Sequence, residues 1–309
     1  MNLLVLYFLE FAVALAVLLK ASDWFVDGAE RIGLSFGISP FIIGVTIIAF
    51  GPSLPELASS IAAVNAGQSE IVIGNVVGSN IANIALIIGL VAIVGKDIHI
   101  QKEIMNIDMP LLAASALLLA FVIWDKTVDT GEIIVLLMGL FIFIAYSIKG
   151  EARKVEADMP KAGWKDYVQV AVAVLLVYLS AEYTIDGISK LSAGVGIPPN
   201  IIALTLVAVG TSLPELIVSI GAARKGKTDI AIGNVLGSNI FNAYTVTSLP
   251  ALFGDLTIPD NILAFSMPFM LALTFLFAIF SINRHISRWE GWVFIMFYLF
   301  FVLQTLKDI

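Results

Sequence analysis

Long uninterrupted apolar runs dominate the chain, and short polar stretches separate them. A helix needs about 20 apolar residues to cross the hydrocarbon core of a bilayer. Because the runs are continuous rather than alternating, they predict helices and not the strands of a barrel. The sequence therefore predicts an all-α polytopic membrane protein with ten transmembrane helices. The predicted spans are 3–19, 38–64, 71–95, 107–124, 131–148, 167–185, 198–223, 230–253, 262–282 and 291–306.

The composition supports a lipid environment. Of 309 residues, 59% are hydrophobic and 13% are charged, whereas soluble domains carry about 25% charged residues. The net charge of −7 argues against nucleic acid as a partner, and the chain has no cysteine for a disulfide or thiolate metal site. No phosphate-binding GxxxxGKS/T loop occurs. We therefore expect neither an enzyme nor a bound cofactor, and no protein partner is implied.

The distribution of basic residues predicts the orientation of the helices, because cytoplasmic connections carry an excess of Lys and Arg. With the connections numbered in chain order, the even connections and the C-terminal end hold Lys126, Lys190 and Lys307. The odd connections hold the remaining 14 of the 17 basic residues. The odd connections are therefore predicted to be cytoplasmic, with both termini outside the plasma membrane. No Lys or Arg precedes the first apolar run, so this run is predicted to be a retained helix rather than a secretory signal.

The chain contains an internal repeat whose two copies align at one constant offset. Ten of thirteen positions are identical between Ile71–Asn83 and Ile230–Asn242, and no gap is needed from residue 23 to residue 83. Each half contains five predicted spans, and an odd number of spans makes the second half enter the membrane from the opposite side. Inverted repeats of this kind place transported ions near the bilayer midplane. The predicted halves are 1–150 and 167–309, with repeated motifs at 38–95 and 198–253 and a short cytoplasmic linker at 151–166.

An acidic motif lies inside one predicted span of each half. Its sequence is GPSLPE at Gly51–Glu56 and GTSLPE at Gly210–Glu215. An ionised side chain at the bilayer centre costs at least about 2.5–3.5 kcal/mol. No Lys or Arg in the same spans can compensate the charge of Glu56 or Glu215. A bound cation is the compensation that the sequence predicts.

A proline directly precedes each of these carboxylates. Pro55 and Pro214 lack an N–H, so carbonyls one turn earlier lose their donors and become hard oxygen ligands suited to Na⁺ or Ca²⁺. A single proline in a membrane helix more often produces only a kink, and a single carboxylate often only marks a helix end. Two copies in symmetric positions, each with a serine three residues before the glutamate, favour a cation site.

Amide side chains recur in the next predicted span of each half. A four-residue spacing puts each set on one helix face. The structural alternative is that these residues pack or bridge helices. For Asn75 and Asn234 the sequence does not decide between this role and ion binding, whereas for Asn83 and Asn242 it favours ion binding. The two sets are Asn75, Ser79 and Asn83, and Asn234, Ser238 and Asn242.

The paired motifs GPSLPE and GTSLPE, with GNVVGSNIAN and GNVLGSNIFN, resemble the two alpha-repeats of the cation/calcium exchanger superfamily. The resemblance covers essentially the whole chain and is to the prokaryotic sodium/calcium exchanger branch. It implies secondary antiport of Ca²⁺ against Na⁺ by alternating access. It implies that Glu56 and Glu215 jointly coordinate Ca²⁺ with the backbone carbonyls of Pro52 and Thr211.

The same resemblance implies two flanking Na⁺ sites with mirrored ligands. One set is the Ala208 carbonyl, Thr211, Ser212, Glu215 and Ser238, and its mirror is the Ala49 carbonyl, Ser53, Glu56 and Ser79. Asn83 and Asn242 are expected in the middle of the site.

Two positions depart from the family pattern. Pro52 stands where the family usually has Thr, so a hydroxyl is lost from the first repeat, and Asn242 makes potassium coupling less expected than an Asp would. The alternatives are a Ca²⁺ or other cation/H⁺ antiporter on the same fold and a cation channel. A membrane scaffold without transport leaves the repeated acidic residues unexplained.

Overall fold

A computed structural model describes residues 3–38, 43, 48–65, 67, 69–95, 98–100, 108–149, 162–194, 212–305 and 307. Ten helices form within these residues, and each of the ten predicted spans overlaps one of them. The helices of the first half are α1 (Leu3–Ser35), α2 (Ala49–Asn65), α3 (Glu70–Gly95), α4 (Met109–Val122) and α5 (Thr130–Lys149). Those of the second half are α6 (Trp164–Gly194), α7 (Leu213–Arg224), α8 (228–251), α9 (Ile262–Ser281) and α10 (Arg288–Thr305).

Several of these helices suit a bilayer. By length and apolar composition, four helices of the described residues can each cross a membrane: Leu4–Ser35, Glu70–Gly95, Thr130–Ser147 and Ile262–Ser281. On α5, Met138, Phe141 and Ile142 are more than half exposed. Exposed apolar side chains in such numbers need lipid as their solvent.

Helices α1 and α6 extend beyond the predicted spans. The prediction ended the first span at residue 19 and the sixth at residue 185, whereas the helices end at Ser35 and Gly194. Charged residues interrupt the apolar run at these points, but they do not interrupt the helix. In α1 the side chains of Ala21, Phe25 and Ala29 recur every four residues and are buried, so one face continues to pack while the other carries charge.

The helices α1 and α6 run antiparallel and are linked at both ends. Near the end of α1, Arg31 donates hydrogen bonds to Asp166 (2.7 Å) and Gln169 (2.8 Å) at the start of α6. Near the end of α6, Lys190 forms an ion pair with Glu10 of α1 (3.2 Å). Arg31 and Lys190 occupy equivalent positions of the repeat, as do Glu10 and Gln169, so the two linkages are equivalent. The hydrogen bond from Arg31 holds the pKa of Asp166 below its usual value.

The core of the molecule is built on α3 and α8. Within α8 every residue from Ile230 to Phe241 is buried, so this helix is packed on all of its faces. Each of these helices contains a π-helical segment, at Ala82–Ile88 in α3 and at Asn242–Val246 in α8. The two segments occupy equivalent positions of the repeat, and π-helical turns are frequent at functional sites.

The connections gather at two ends of the helical bundle. At one end the short strands β1 (Ile98–His99) and β2 (His285–Ile286) pair antiparallel, which joins two odd connections. At the other end Lys126 and Asp260 form an ion pair of 2.5 Å between two even connections. The apolar pattern of the sequence did not predict the two strands, because each is only two residues long and lies in a polar connection.

Candidate cation site

The two acidic motifs come together in the interior. The first motif lies in the opening turns of α2, and the second crosses into α7, which begins directly after Ser212. Glu56 is 1% exposed and Glu215 is 0% exposed, and the two carboxyl groups interact electrostatically. Two neighbouring carboxylates repel each other unless a proton or a cation neutralises them. The folded chain therefore concentrates two acidic groups where positive charge is required.

Hydroxyl and carbonyl oxygens from both halves surround these carboxyl groups. The Ser53 hydroxyl lies within hydrogen-bond distance of two partners, 2.9 Å from Glu215 Oε1 and 3.1 Å from Ser238 Oγ. Ser238 in turn donates to the backbone carbonyl of Ala49 over 3.3 Å. Residues of the two expected mirror sets thus contact each other directly, so the sets form one continuous cluster. Ala208 and Thr211, expected in the same cluster, lie outside the described residues.

Two further serines of the expected sets are buried. Ser212 is 2% exposed, and its hydroxyl has no hydrogen-bond partner among the described residues. Ser79 is 3% exposed and lies 3.5 Å from Asn75 Oδ1, at the limit of a hydrogen bond. Both hydroxyls belong to the repeated motifs and carry lone pairs that a cation accepts.

The ring of Pro52 is buried against an apolar wall. It lines a narrow cavity of about 10 Å³ together with Pro214, Phe25 of α1 and Val174 and Tyr178 of α6. A cavity of this size holds at most one water molecule. The departure from the family pattern at position 52 therefore lies where the motif helices pack against α1 and α6.

Asn75 and Asn234 bridge neighbouring helices. Asn75 donates to Ser60 of α2 over 3.3 Å, and Asn234 donates to Ser219 of α7 over 2.8 Å. Ser60 and Ser219 themselves occupy equivalent positions of the repeat, so the two bonds are equivalent. Asn234 also donates to the backbone carbonyl of Glu215 over 3.3 Å. For these two residues, which the sequence left undecided, the contacts are those of the structural alternative.

Asn83 and Asn242 lie at the centre of the core, next to two asparagines that the sequence analysis missed. Asn83 donates to Asn239 Oδ1 over 3.0 Å, and Asn80 donates to the backbone carbonyl of Asn239 over 3.3 Å. Asn242 is fully buried, and neither atom of its amide has a hydrogen-bond partner among the described residues. A sequence signal for the missed pair existed, because the dipeptide Ser-Asn recurs at equivalent positions of the two halves.

The chemistry of this cluster is that of hard oxygen donors. It combines carboxylate, hydroxyl, amide and backbone carbonyl oxygens. Within the described residues no group of three or more His, Cys, Asp or Glu side chains is arranged to hold a metal ion. Oxygen ligands with few charges suit Na⁺ and Ca²⁺, whereas imidazole and thiolate ligands favour transition metals.

Comparison with known proteins identifies the family. A sequence profile described as sodium/calcium exchanger protein matches residues 6–149 and 165–307. The chain belongs to the sodium/calcium exchanger family. The resemblance inferred from the paired motifs is thereby confirmed. Members of this family are transporters rather than enzymes, and the chain is an integral, multi-pass membrane protein.

Individual relatives of this exchanger cover nearly the whole chain. Sodium/calcium exchanger MaX1 of Methanosarcina acetivorans is 34% identical over 96% of this chain and 97% of the relative. Inner membrane protein YrbG of Escherichia coli is 32% identical over 88% of this chain and 87% of the relative. A solved structure of the sodium-calcium exchanger NCX_Mj superimposes with a TM-score of 0.85 at 32% identity, covering 96% of this chain and 98% of the other. The helical arrangement is therefore that of a sodium/calcium exchanger.

Proposed function

We propose that this protein exchanges Ca²⁺ for Na⁺ by alternating access at a single site near the bilayer midplane. The observation that carries the proposal is the burial of two neighbouring carboxyl groups, Glu56 and Glu215, from separate copies of the repeat, with Ser53 of the first copy 2.9 Å from Glu215 of the second. Family membership supports the choice of ions, since a solved relative was soaked with Na⁺ and Sr²⁺.

The charge of the site explains how the two ions are coupled. Two carboxylates supply a charge of −2, which one Ca²⁺ or two Na⁺ neutralise, and a third Na⁺ leaves a net charge of +1. Ca²⁺ accepts a flexible cage of six to eight oxygens. Because both ions need the same oxygens, occupation by one excludes the other. This competition converts an Na⁺ gradient into Ca²⁺ transport.

The proposed ligands are those that the resemblance to the family implies. Glu56 and Glu215 bind Ca²⁺ with the carbonyls of Pro52 and Thr211. Na⁺ binds on either side, with ligands among Ala49, Ser53, Ser79, Ala208, Thr211, Ser212 and Ser238. Asn83 and Asn242 supply neutral amide oxygens in the middle. The bonds that join Ser53, Ser238 and the Ala49 carbonyl support this assignment, because they link oxygens of both halves to one another and, through Ser53, to Glu215.

We further propose that the transport unit is ten transmembrane helices in two inverted five-helix repeats. Two observations support it. The equivalent helices α1 and α6 run antiparallel, and Asn80 contacts its own equivalent, Asn239. Residues at equivalent positions meet only near the axis that relates the two halves. Inverted repeats around one axis supply two related conformations that open to opposite sides of the membrane.

The test is ⁴⁵Ca²⁺ uptake into proteoliposomes under an imposed Na⁺, K⁺ or H⁺ gradient. Uptake driven by outward Na⁺ is expected, and both Glu56→Gln and Glu215→Gln are expected to abolish it, because each removes one of the two charges. Glu30→Gln, which alters a glutamate of α1 outside both motifs, is the matched control and should transport like the unaltered protein. Full transport by both site variants would overturn the site assignment.

A cation/H⁺ antiporter is the second candidate, and Pro52 is the observation that favours it. The proline removes a hydroxyl from the first repeat, and its ring lines an apolar cavity. Loss of an Na⁺ ligand leaves a carboxyl group of the pair free to carry a proton instead. Ca²⁺ uptake driven by a pH gradient without Na⁺ in the same assay would establish this candidate in place of Na⁺ coupling.

A further inference from the structure

Asn80 and Asn239 form a contact between equivalent positions of the two halves. Asn80 Nδ2 donates to the Asn239 carbonyl over 3.3 Å. Both side chains are buried, with 3% and 0% exposure. Such a pair lies next to the axis between the repeats, where α3 packs against α8. Most buried amides find hydrogen-bond partners within the protein, so the buried amide atoms here that lack one need an explanation.

The hydrogen bonds made by this pair are not symmetric. Asn83 Nδ2 donates to Asn239 Oδ1 over 3.0 Å. The equivalent bond would run from Asn242 Nδ2 to Asn80 Oδ1, and both of those atoms are buried without a hydrogen-bond partner among the described residues. Two motifs that are identical at ten of thirteen positions thus hold their central amides differently.

The bond to Asn239 fixes the orientation of the Asn83 carboxamide. The terminal torsion of asparagine is broad and roughly two-fold, so a free amide presents either its oxygen or its nitrogen to a neighbour. Because Asn83 Nδ2 donates to Asn239, the Asn83 oxygen points away from Asn239. It is buried, and it has no hydrogen-bond partner within the described part of the chain. An amide oxygen attracts a cation, whereas the NH₂ group, which carries two donors, repels it.

We propose that Asn239 is a positioning residue that holds the oxygen of Asn83 toward the transported cation, while the Asn242 amide stays free to reorient. The inference rests on the proposed function, since it takes Asn83 as a ligand. Groups that orient a ligand typically change metal affinity by about 10–100-fold when they are removed. One fixed amide and one adaptable amide give the site a rigid part and a part that adjusts between Ca²⁺ and Na⁺.

The experiment measures equilibrium ⁴⁵Ca²⁺ binding to the purified, detergent-solubilised protein for Asn239→Ala and Asn80→Ala. The two residues are equivalent, buried and set in the same Gly-Ser-Asn context, so Asn80→Ala is the matched control. Asn239→Ala is expected to raise the Kd for Ca²⁺ about 10-fold, and Asn80→Ala is expected to change it by less than about 3-fold. Equal changes in the Kd of both variants would overturn the inference, because a purely structural role would make the two equivalent substitutions similarly harmful.

A double-mutant cycle separates positioning from general damage to the core. In an Asn83→Ala background the oriented oxygen is absent, so adding Asn239→Ala should change the Kd by less than about 2-fold. Additive effects of the two substitutions would show that Asn239 acts independently of Asn83. Thermal unfolding in detergent checks that each variant is folded. If Asn239→Ala shows no unfolding transition, Asn239→Ser takes its place in the same cycle. Absence of Ca²⁺ binding by the unaltered protein would instead overturn the proposed function itself.

Discussion

At the scale of single residues, Ser53 connects the two halves of the site. A hydroxyl has one proton and two lone pairs, so Ser53 donates at any moment to Glu215 (2.9 Å) or to Ser238 (3.1 Å). Ser238 continues the chain by donating to the Ala49 carbonyl. Hydrogen bonds in such a buried chain strengthen one another. The serine that precedes Glu56 by three residues therefore orients an acidic group as well as offering an oxygen.

Replacing Ser53 with alanine should destabilise the protein measurably in cation-free buffer. The change leaves a buried carboxyl oxygen and the Ser238 hydroxyl with one partner fewer, and an unsatisfied buried polar group costs about 1–3 kcal/mol. Ser212→Ala is the control, because the hydroxyl of this equivalent serine makes neither a helix-capping bond nor another hydrogen bond among the described residues. Thermal unfolding in detergent should show the lower midpoint for Ser53→Ala. An equal or larger loss for Ser212→Ala would contradict this account.

The site residues divide into those that sequence predicts and those that it cannot. Glu56 and Glu215 are recognisable because a charge inside an apolar span is costly, and here it occurs at equivalent positions of both halves. Asn80 and Asn239 carry no comparable signal. Helical spacing assigns a side chain to a face, but the neighbour opposite that face depends on how α3 packs against α8. The asymmetric bond from Asn83 is likewise a product of packing.

At the scale of helices, α1 and α6 form an antiparallel pair at the edge of the bundle. Apolar side chains along the first turns of α1, such as Phe8 and Val13, are 57% and 62% exposed and face lipid. Two equivalent glycines lie between the helices. A side chain at Gly187 would contact the backbone of Phe11, whereas one at Gly28 would contact the side chain of Val170. The closer approach of backbones is therefore at Gly187.

Gly187→Ala should destabilise the helix pair more than Gly28→Ala does. The added methyl at Gly187 would lie 3.0 Å from Phe11 Cα, and backbone yields only if the helices separate. Overpacking of this kind costs about 1–3 kcal/mol. At Gly28 the nearest atom is Val170 Cγ2 at 2.8 Å, on a side chain rather than on backbone, and alanine gains about 0.8–1 kcal/mol of helix propensity over glycine. Thermal unfolding of both variants in detergent tests this, and a larger loss at Gly28 would contradict it.

Element boundaries were predicted less well than element positions. Each apolar run overlaps a helix of the described residues, because the composition that favours a helix is a property of each run alone. The extension of α1 to Ser35 was missed because Lys20, Asp23 and Asp27 also suit a polar connection. What keeps that segment helical is the buried stripe that includes Phe25 and Ala29, which packs on other parts of the fold. A local pattern of charge does not report such tertiary support.

At the scale of the whole molecule, contacts between connections show which ends of the helices lie together. The β1–β2 pair joins the third and ninth connections. Lys225, in the seventh connection, pairs with Asp23 and Asp27 near the end of α1 over 3.2 and 2.9 Å. At the opposite end, Lys126 pairs with Asp260 across the fourth and eighth connections. Odd connections meet odd ones and even connections meet even ones, as expected of helices that cross a membrane alternately.

The contacts between connections and the distribution of basic residues give different information about the membrane topology. The contacts assign connections to two groups, but they do not indicate which group faces the cytoplasm. The basic residues supply that direction, since 14 of the 17 lie in odd connections. Several of these residues are held in ion pairs. Partial burial lowers the pKa of Lys225, but hydrogen bonds to Asp27 and Asp23 outweigh this effect and leave that pKa raised. Lys225 therefore carries its charge at any physiological pH.

The orientation can be measured directly because the chain contains no cysteine. Single cysteines are introduced at exposed positions of two even connections, Thr127 and Asp255, and of two odd connections, Arg224 and Asn283. A membrane-impermeant maleimide applied to intact cells should label Thr127→Cys and Asp255→Cys, and label Arg224→Cys and Asn283→Cys only after lysis. The reversed pattern would overturn the predicted orientation and leave the alternation intact. Labelling of Thr127→Cys and Asp255→Cys from opposite sides would overturn the alternation itself, and with it the inverted arrangement on which a shared midplane site depends.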